Sequence, residues 1–246
     1  MRENSMPLME HLEELRRRII ISAIAILVVT LAAFFFSDTL LKVILLPSGG
    51  LQLRAFNLLD GFMIKWRLAL YCGVIVSFPI WSYQIYRFMS PGMYDNERRA
   101  IFPTALGAMI LFVLGAAFGF YLLWGMIRVL IEFFPSEVQF LPAADDYISF
   151  VVFFLLACGL AFQLPTVLLL LVHLHILNTN VLRKQRRIAY FALFAFAEII
   201  TPVSDPIVAP LTVMAPLIIL YEVSIWLARR IEVRREKEEA KQLAQS

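Results

Sequence analysis

The chain has 246 residues, of which 61% are hydrophobic and only 17% are charged, and its mean hydropathy is +0.77. A soluble domain carries about 25% charged residues, because polar side chains must cover its surface. The composition therefore excludes a soluble globular enzyme and indicates an integral membrane protein. The net charge of +3 does not indicate a nucleic-acid partner, because the basic residues lie at the ends of apolar runs.

Six apolar runs follow one another along the chain, and each predicts a helix, because lipid cannot satisfy free backbone groups. A hydrocarbon core of about 30 Å requires about 20 helical residues. The runs are Ile19 to Ser37, Leu68 to Tyr86, Ala100 to Ile127, Tyr147 to Val172, Ile188 to Ile200 and Pro206 to Ala228. The sequence thus predicts an all-α integral membrane protein with six transmembrane helices in one domain, residues 1–228, followed by a charged tail, residues 229–246.

The basic residues are distributed unequally on the two sides of these runs. Seventeen of the 22 lysines and arginines fall on the side that holds both termini, and five fall on the other side. This asymmetry predicts that both termini are cytoplasmic. The fifth run has only 13 residues between Arg187 and Thr201, roughly 20 Å of helix, so either the bilayer thins there or the helix ends partway.

The segment before the first run predicts an amphipathic helix, with Leu8, Leu12 and Leu15 on one face. Glu14 has two interpretations. It can pair with Arg18 at i, i+4 within the helix. It can also form, with Glu97 of the first cytoplasmic loop, an acidic site for a peptide that presents arginines. Glu97 is equally explained as a carboxylate at the start of the third span.

The first outer loop, Asp38 to Arg67, keeps an apolar stripe and is expected to form short helices on the outer face of the protein. Asp145 and Asp146, at the end of the second outer loop, are expected to begin the fourth helix, where their charges favour its positive end.

Two polar residues, Gln163 and Glu222, lie at membrane depth. Gln163 is placed near the midplane, and Glu222 lies roughly 10 Å from the cytoplasmic boundary, where it can snorkel or pair with a basic loop residue. Glu198 lies close to the outer boundary, where solvation explains it. A relay through these three groups would indicate a proton- or ion-coupled permease, but the sequence shows no internal repeat of the transporter kind.

Several segments resemble the TatC family, the receptor subunit of twin-arginine protein translocation. The resemblance covers nearly the whole chain and is carried by MPLMEHLEELRRRI at residues 6–19, FPIWSYQIYRFMSPGMYDNERR at 78–99, FQLPT in the fourth run, LRKQRR at 182–187, and TPVSDP and YEVS near the end. It implies a concave bundle in the cytoplasmic membrane that binds twin-arginine signal peptides and helps to export folded proteins.

The resemblance also implies partners and site residues. The expected partners are TatA-type and TatB-type single-span subunits, in an oligomeric assembly without cofactors, metals or covalent chemistry. The implied signal-peptide site consists of Glu14, Leu15, Arg16, Phe88, Pro91, Tyr94 and Glu97. Pro47 and Asp205 are expected on the periplasmic side. Gln163 departs from the family pattern, which commonly has a glutamate there, so hydrogen bonding is kept but the charge is lost.

Overall fold

The computed structural model describes residues 8–89, 101–132, 135, 141–173, 176–201 and 208–243. These residues are helical almost throughout, and no strand occurs among them. One isolated parallel β-bridge joins Arg54 and Ala143. The predicted all-α fold is confirmed.

Ten α-helices and one short 3₁₀ helix make up the described residues. They are α1 (Leu8–Phe35), α2 (Ser37–Ile44), the 3₁₀ turn Leu46–Ser48, α3 (Asp60–Val76), α4 (Phe78–Met89), α5 (Ile101–Glu132), α6 (Ala144–Ala161), α7 (Leu164–His173), α8 (Thr179–Lys184), α9 (Arg186–Ile200) and α10 (Val208–Leu243). The amphipathic helix and the first span predicted from the sequence are therefore one continuous helix, α1.

Within the described residues, the six apolar runs fall on helices. Four helical segments among the described residues are long and apolar enough to cross a membrane, namely Met9–Phe35, Pro103–Glu132, Ala144–His173 and Pro210–Val233. The second run forms α3 and α4, which bend by 48° at Ser77 and qualify together as a fifth span. The remaining run is α9, whose 15 residues give about 22 Å of helix. The predicted shortness of this helix is confirmed.

The chain divides into two compact units, residues 1–159 and 160–246. The single domain over residues 1–228 stays a prediction. In the first unit, α1 packs along α3 and α4, and α4 packs on α5. The ring of Phe78 in α4 stacks on Phe112 of α5 with centroids 4.0 Å apart. Both side chains are almost completely buried, so this stack anchors α4 to the third span.

The helices α1 and α3 approach closely at Thr30 and Gly73. A Cβ atom on Gly73 would overlap Thr30 Oγ1 and lie 3.0 Å from Thr30 Cα. Glycine is therefore required there because no side-chain atom fits between the two backbones. This crossing fixes how the first span lies against the second.

The segment between α1 and α3 is folded and joined to the start of α6. Arg54 N donates to Pro142 O at 3.1 Å, and Ala144 N donates to Arg54 O at 2.8 Å. The expected short helices are α2 and the 3₁₀ turn, in which Pro47 is buried. Pro47 therefore serves packing in this segment.

Charged side chains hold the same region together. Arg67 Nη1 lies 2.8 Å from Asp145 Oδ2 and donates to Ser149 Oγ at 2.9 Å. Lys65 pairs with Asp38 at 2.8 Å. The expectation that Asp145 begins the fourth span is confirmed, since it lies in the first turn of α6, and it also binds α3.

In the second unit, α10 packs against α7, α8 and α9. Thr179 N, at the start of α8, donates to Glu232 Oε1 at 2.8 Å. Tyr221 Oη donates to Leu182 O at 2.9 Å. The helix α10 continues to Leu243, so most of the charged tail extends the last span as a helix.

Replacing Gly73 by Ala is expected to lower the free energy of unfolding by about 1 to 3 kcal/mol, the usual cost of overpacking. The matched control is Gly61→Ala in the same helix, where a Cβ meets open space. Thermal unfolding of both variants in detergent, followed by circular dichroism, measures the difference. Equal stabilities would contradict the close α1–α3 crossing.

The short α9 predicts a locally thinned bilayer. Single cysteines at Ile188 and Ile199, which are 67% and 77% exposed, should react with a membrane-impermeant maleimide from opposite sides of sealed vesicles. Ile200 is unsuitable because it is buried. The background carries Cys72→Ala and Cys158→Ala. If the cysteine at position 199 is labelled from neither side of the vesicles, the prediction that the bilayer thins at this span is wrong.

Candidate functional site

A cluster of polar side chains joins the N-terminal part of α1 to the C-terminal part of α4. Arg18 Nη1 donates to Gln84 Oε1 at 2.7 Å, and Arg18 Nη2 donates to Glu14 Oε1 at 3.0 Å. The side chains of Arg18 and Glu14 are 15% and 22% exposed. The i, i+4 pairing expected from the sequence is confirmed, and Gln84 extends it to the neighbouring helix.

An aromatic stack closes the same end of the helix pair. The imidazole of His11 lies parallel to the ring of Phe88, with centroids 4.4 Å apart and an interplanar angle of 24°. Phe88 is one of the residues that the family resemblance implies for the signal-peptide site. The stack therefore fixes its position against α1.

Between α1 and α4 lies a groove of about 500 Å³, here called the α1–α4 groove. Its lining follows one face of each helix, with Leu15, Ile19 and Ile26 from α1 and Trp81 and Phe88 from α4. These positions recur at helical spacing, so each helix contributes a continuous apolar stripe.

The structure brings together only part of the site implied by the resemblance. Leu15 and Phe88 line the α1–α4 groove, and Glu14 binds Arg18, which also lines it. Arg16 is exposed and lies outside the lining. Pro91, Tyr94, Glu97 and Asp205 lie outside the described residues, so the pairing of Glu97 with Glu14 stays a prediction.

A second polar cluster joins α9 to α10. Arg186 Nη2 donates to Glu222 Oε2 and Tyr190 Oη donates to Glu222 Oε1, each at 2.6 Å. Of the two alternatives for Glu222, pairing with a basic residue is confirmed, but its partner Arg186 lies at the first position of α9 rather than in a loop. The cluster holds the beginning of the short α9 against the last span.

Gln163 lies at the junction of α6 and α7. Its backbone N donates to Leu160 O at 2.9 Å, and its carbonyl accepts from Val167 N at 2.9 Å. The residue is only 8% exposed, which argues against a lipid-facing amide. Its role in binding a partner or peptide stays a prediction.

Glu198 is exposed and lies near the end of α9. It is 12 residues from Arg186, about 18 Å along the helix, so it lies far from the Glu222 cluster along α9. In the part of the chain that the structure describes, no group of three His, Cys, Asp or Glu side chains could hold a metal ion.

Sequence reasoning missed Gln84, Tyr190 and His11. Gln84 lies four residues before Phe88, on the same face of α4, and a lone amide in an aromatic stretch was its only signal. Tyr190 could be identified only once Glu222 was known to face α9.

These features define the class: a multi-pass, α-helical membrane protein with a partly buried polar cluster and an apolar groove between its first two spans. The family model for the Sec-independent protein translocase protein TatC matches residues 10–216. The chain belongs to the TatC family, and the resemblance seen in its motifs is confirmed.

Relatives and solved structures agree with this assignment. The chain is 36% identical to the Sec-independent protein translocase protein TatC of Carboxydothermus hydrogenoformans, over 98% of this chain and 100% of the relative. It is 36% identical to that of Deinococcus radiodurans, over 96% and 90%. A crystal structure of the twin arginine translocase receptor TatC superposes with a TM-score of 0.76 at 32% identity, covering 89% of this chain and 98% of that one.

Replacing Glu222 by Ala is expected to lower the free energy of unfolding by about 1 to 3 kcal/mol, since Arg186 and Tyr190 lose their acceptor. The control is Glu198→Ala on α9, which should have no measurable effect. Thermal unfolding in detergent measures both.

Transport assays on Glu222→Gln and Glu198→Gln add a second test. A proton relay requires both carboxylates, whereas a hydrogen-bonded contact that only holds α9 against α10 does not. Loss of transport in both Gln variants would contradict the structural role.

Proposed function

We propose that this chain is the signal-peptide receptor and core subunit of the twin-arginine protein translocase, which exports folded proteins across the cytoplasmic membrane. Membership of the TatC family supports the proposal, as does the similarity to a structure named as the translocase receptor. The observation that carries it is the cluster of Glu14, Arg18 and Gln84 beside the α1–α4 groove.

Recognition depends on the carboxylate of Glu14. Its Oε1 accepts from Arg18, and Oε2 can accept a further charge-assisted hydrogen bond from a peptide guanidinium. Burial of this carboxylate to about four-fifths strengthens such a bond. Glu97 supplies a second carboxylate in the proposed site. An arginine presents a planar fork to such an acidic site, whereas a lysine presents a single point charge.

The remaining parts of the proposal concern orientation, which the charge asymmetry supports, partners, which membership of the family implies, and Gln163. Both termini are cytoplasmic, which places the Glu14 cluster at the cytoplasmic face. The protein acts by binding rather than by covalent chemistry, and it assembles with TatA-type and TatB-type single-span subunits. Gln163 donates and accepts hydrogen bonds to a partner helix or to the inserted peptide without titrating.

The rival function, a proton- or ion-coupled permease, has little support in the structure. Glu222 is bound by Arg186 and Tyr190, so both of its carboxylate oxygens are engaged within the α9–α10 cluster. Glu198 lies 12 residues beyond Arg186 and 8 residues beyond Tyr190, about 12 to 18 Å along α9, so it lies outside this cluster.

Binding of a labelled twin-arginine peptide to the full chain in membranes tests the proposal. Glu14→Gln and Glu97→Gln should each weaken binding by roughly 2 kcal/mol, as expected for a desolvated charged contact. A twin-lysine peptide should bind more weakly to the unmodified chain.

Glu13→Gln is the matched control, because Glu13 is the exposed neighbour of Glu14. It should leave peptide binding unchanged. The proposal is wrong if both single variants bind the twin-arginine peptide normally, or if the arginine and lysine peptides bind equally well.

A further inference from the structure

The second unit concentrates positive charge at the end that holds the carboxyl-terminal part of α10. Residues 179–187 and 221–232 contain six basic and two acidic residues, which gives a net charge of +4. Five of the six basic side chains are exposed, and they are here called the basic end of the second unit: Arg183, Lys184, Arg187, Arg229 and Arg230.

Two contacts bring α8 alongside this part of α10. Thr179 N, at the start of α8, donates to Glu232 Oε1 at 2.8 Å, and Tyr221 Oη donates to Leu182 O at 2.9 Å. The helix α8 therefore lies beside the stretch of α10 between Tyr221 and Glu232, which is about 16 Å long. The two basic residues that end α8 follow Leu182 directly. The basic residues of α8 and α10 thus lie at the same end of the unit.

The carboxylates of this region are engaged elsewhere and do not neutralise the basic end. Glu222 accepts hydrogen bonds from Arg186 and Tyr190, and Glu232 accepts one from Thr179 N. Across the part of the chain that the structure describes, no acidic side chain forms an ion pair with any of the five residues of the basic end. An anion from outside the chain can therefore balance this charge.

A tryptophan places the basic end at the boundary between lipid and water. Trp226 is 52% exposed, and the guanidinium of Arg230 lies over its ring, 3.6 Å from the centroid. Both residues belong to the segment Pro210–Val233, which is long and apolar enough to cross a membrane. From Pro210 to Arg229 the helix rises about 28 Å, close to the thickness of the hydrocarbon core. Exposed tryptophans are typical of membrane interfaces, so lipid headgroups are the nearest source of anions.

We propose that the basic end binds the phosphate groups of anionic phospholipids. Guanidinium groups donate paired hydrogen bonds to phosphate oxygens, and each basic residue near an anionic membrane surface strengthens binding about fivefold. The proposed cytoplasmic orientation puts the basic end in the leaflet whose anionic lipids create a negative surface potential. A bound anionic lipid reduces the repulsion among these cations beside the short α9.

Fluorescence quenching tests the position of the anionic lipid. The full chain is reconstituted into phosphatidylcholine bilayers that contain either brominated phosphatidylglycerol or brominated phosphatidylcholine at the same mole fraction. The emission of Trp226 is the difference between the unmodified chain and Trp226→Phe. Brominated phosphatidylglycerol should quench this emission about twofold more strongly, because the basic end enriches anionic lipid beside the ring.

Trp124 is the matched control in the same chain. It is 47% exposed, and Arg128 follows it by four residues, as Arg230 follows Trp226. Residues 124–132 contain one basic and one acidic residue, so this tryptophan and arginine lie in a segment without net charge. The emission of Trp124, obtained in the same way from Trp124→Phe, should be quenched equally by the two brominated lipids.

A charge variant and salt test the role of the basic residues. The double variant Arg183→Gln, Lys184→Gln removes two exposed cations and leaves the stack of Arg230 on Trp226 in place. It should lose most of the excess quenching at Trp226 while its circular dichroism spectrum in detergent stays unchanged. High sodium chloride should also reduce the excess in the unmodified chain, because salt screens exposed charges.

Equal quenching of Trp226 by the two brominated lipids would overturn the proposal, and so would an excess that persists in the double variant. At matched ionic strength, inorganic phosphate should displace the lipid no better than chloride does. Specific displacement by inorganic phosphate would identify a site for a soluble anion and would also overturn the proposal. These measurements use no signal peptide, so their outcome is independent of the proposed receptor function.

Discussion

The structure depends on one constraint, that polar groups within a bilayer must be satisfied inside the protein. Two charged side chains near the ends of the spans meet this constraint with partners from another helix. Arg18 binds Gln84 across α1 and α4, and Glu222 binds Arg186 and Tyr190 across α9 and α10. The same contacts that remove the cost of burial also fix which helices are neighbours.

This constraint explains how the described part of the candidate site is held in place. The Glu14 carboxylate is held by Arg18, and Arg18 is held by Gln84, so the acidic group lies in a fixed place at the groove. Phe88 is held by its stack on His11. Side chains that are held by such contacts bind a flexible peptide with less loss of conformational freedom than side chains that must first be ordered.

The length of α9 matters for a related reason, since a helix must match the thickness of the hydrocarbon core around it. A helix of 15 residues cannot cover the hydrocarbon core alone, so either the bilayer or neighbouring segments must adjust. The Glu222 cluster at its beginning and the packing on α10 hold it in place. Several of its apolar side chains, such as Phe191 and Ile199, are exposed.

The sequence by itself determined the membrane class, the six apolar helices, the short fifth span and the family. Composition, run length and motifs depend only on local chemistry, because lipid imposes helix on any long apolar run. Tertiary structure decided which polar residues meet. The sequence could not predict three contacts: Gln84 accepts a hydrogen bond from Arg18, Tyr190 donates one to Glu222, and Thr30 leaves no room for a side chain at Gly73. Residues far apart in sequence become neighbours only when helices pack.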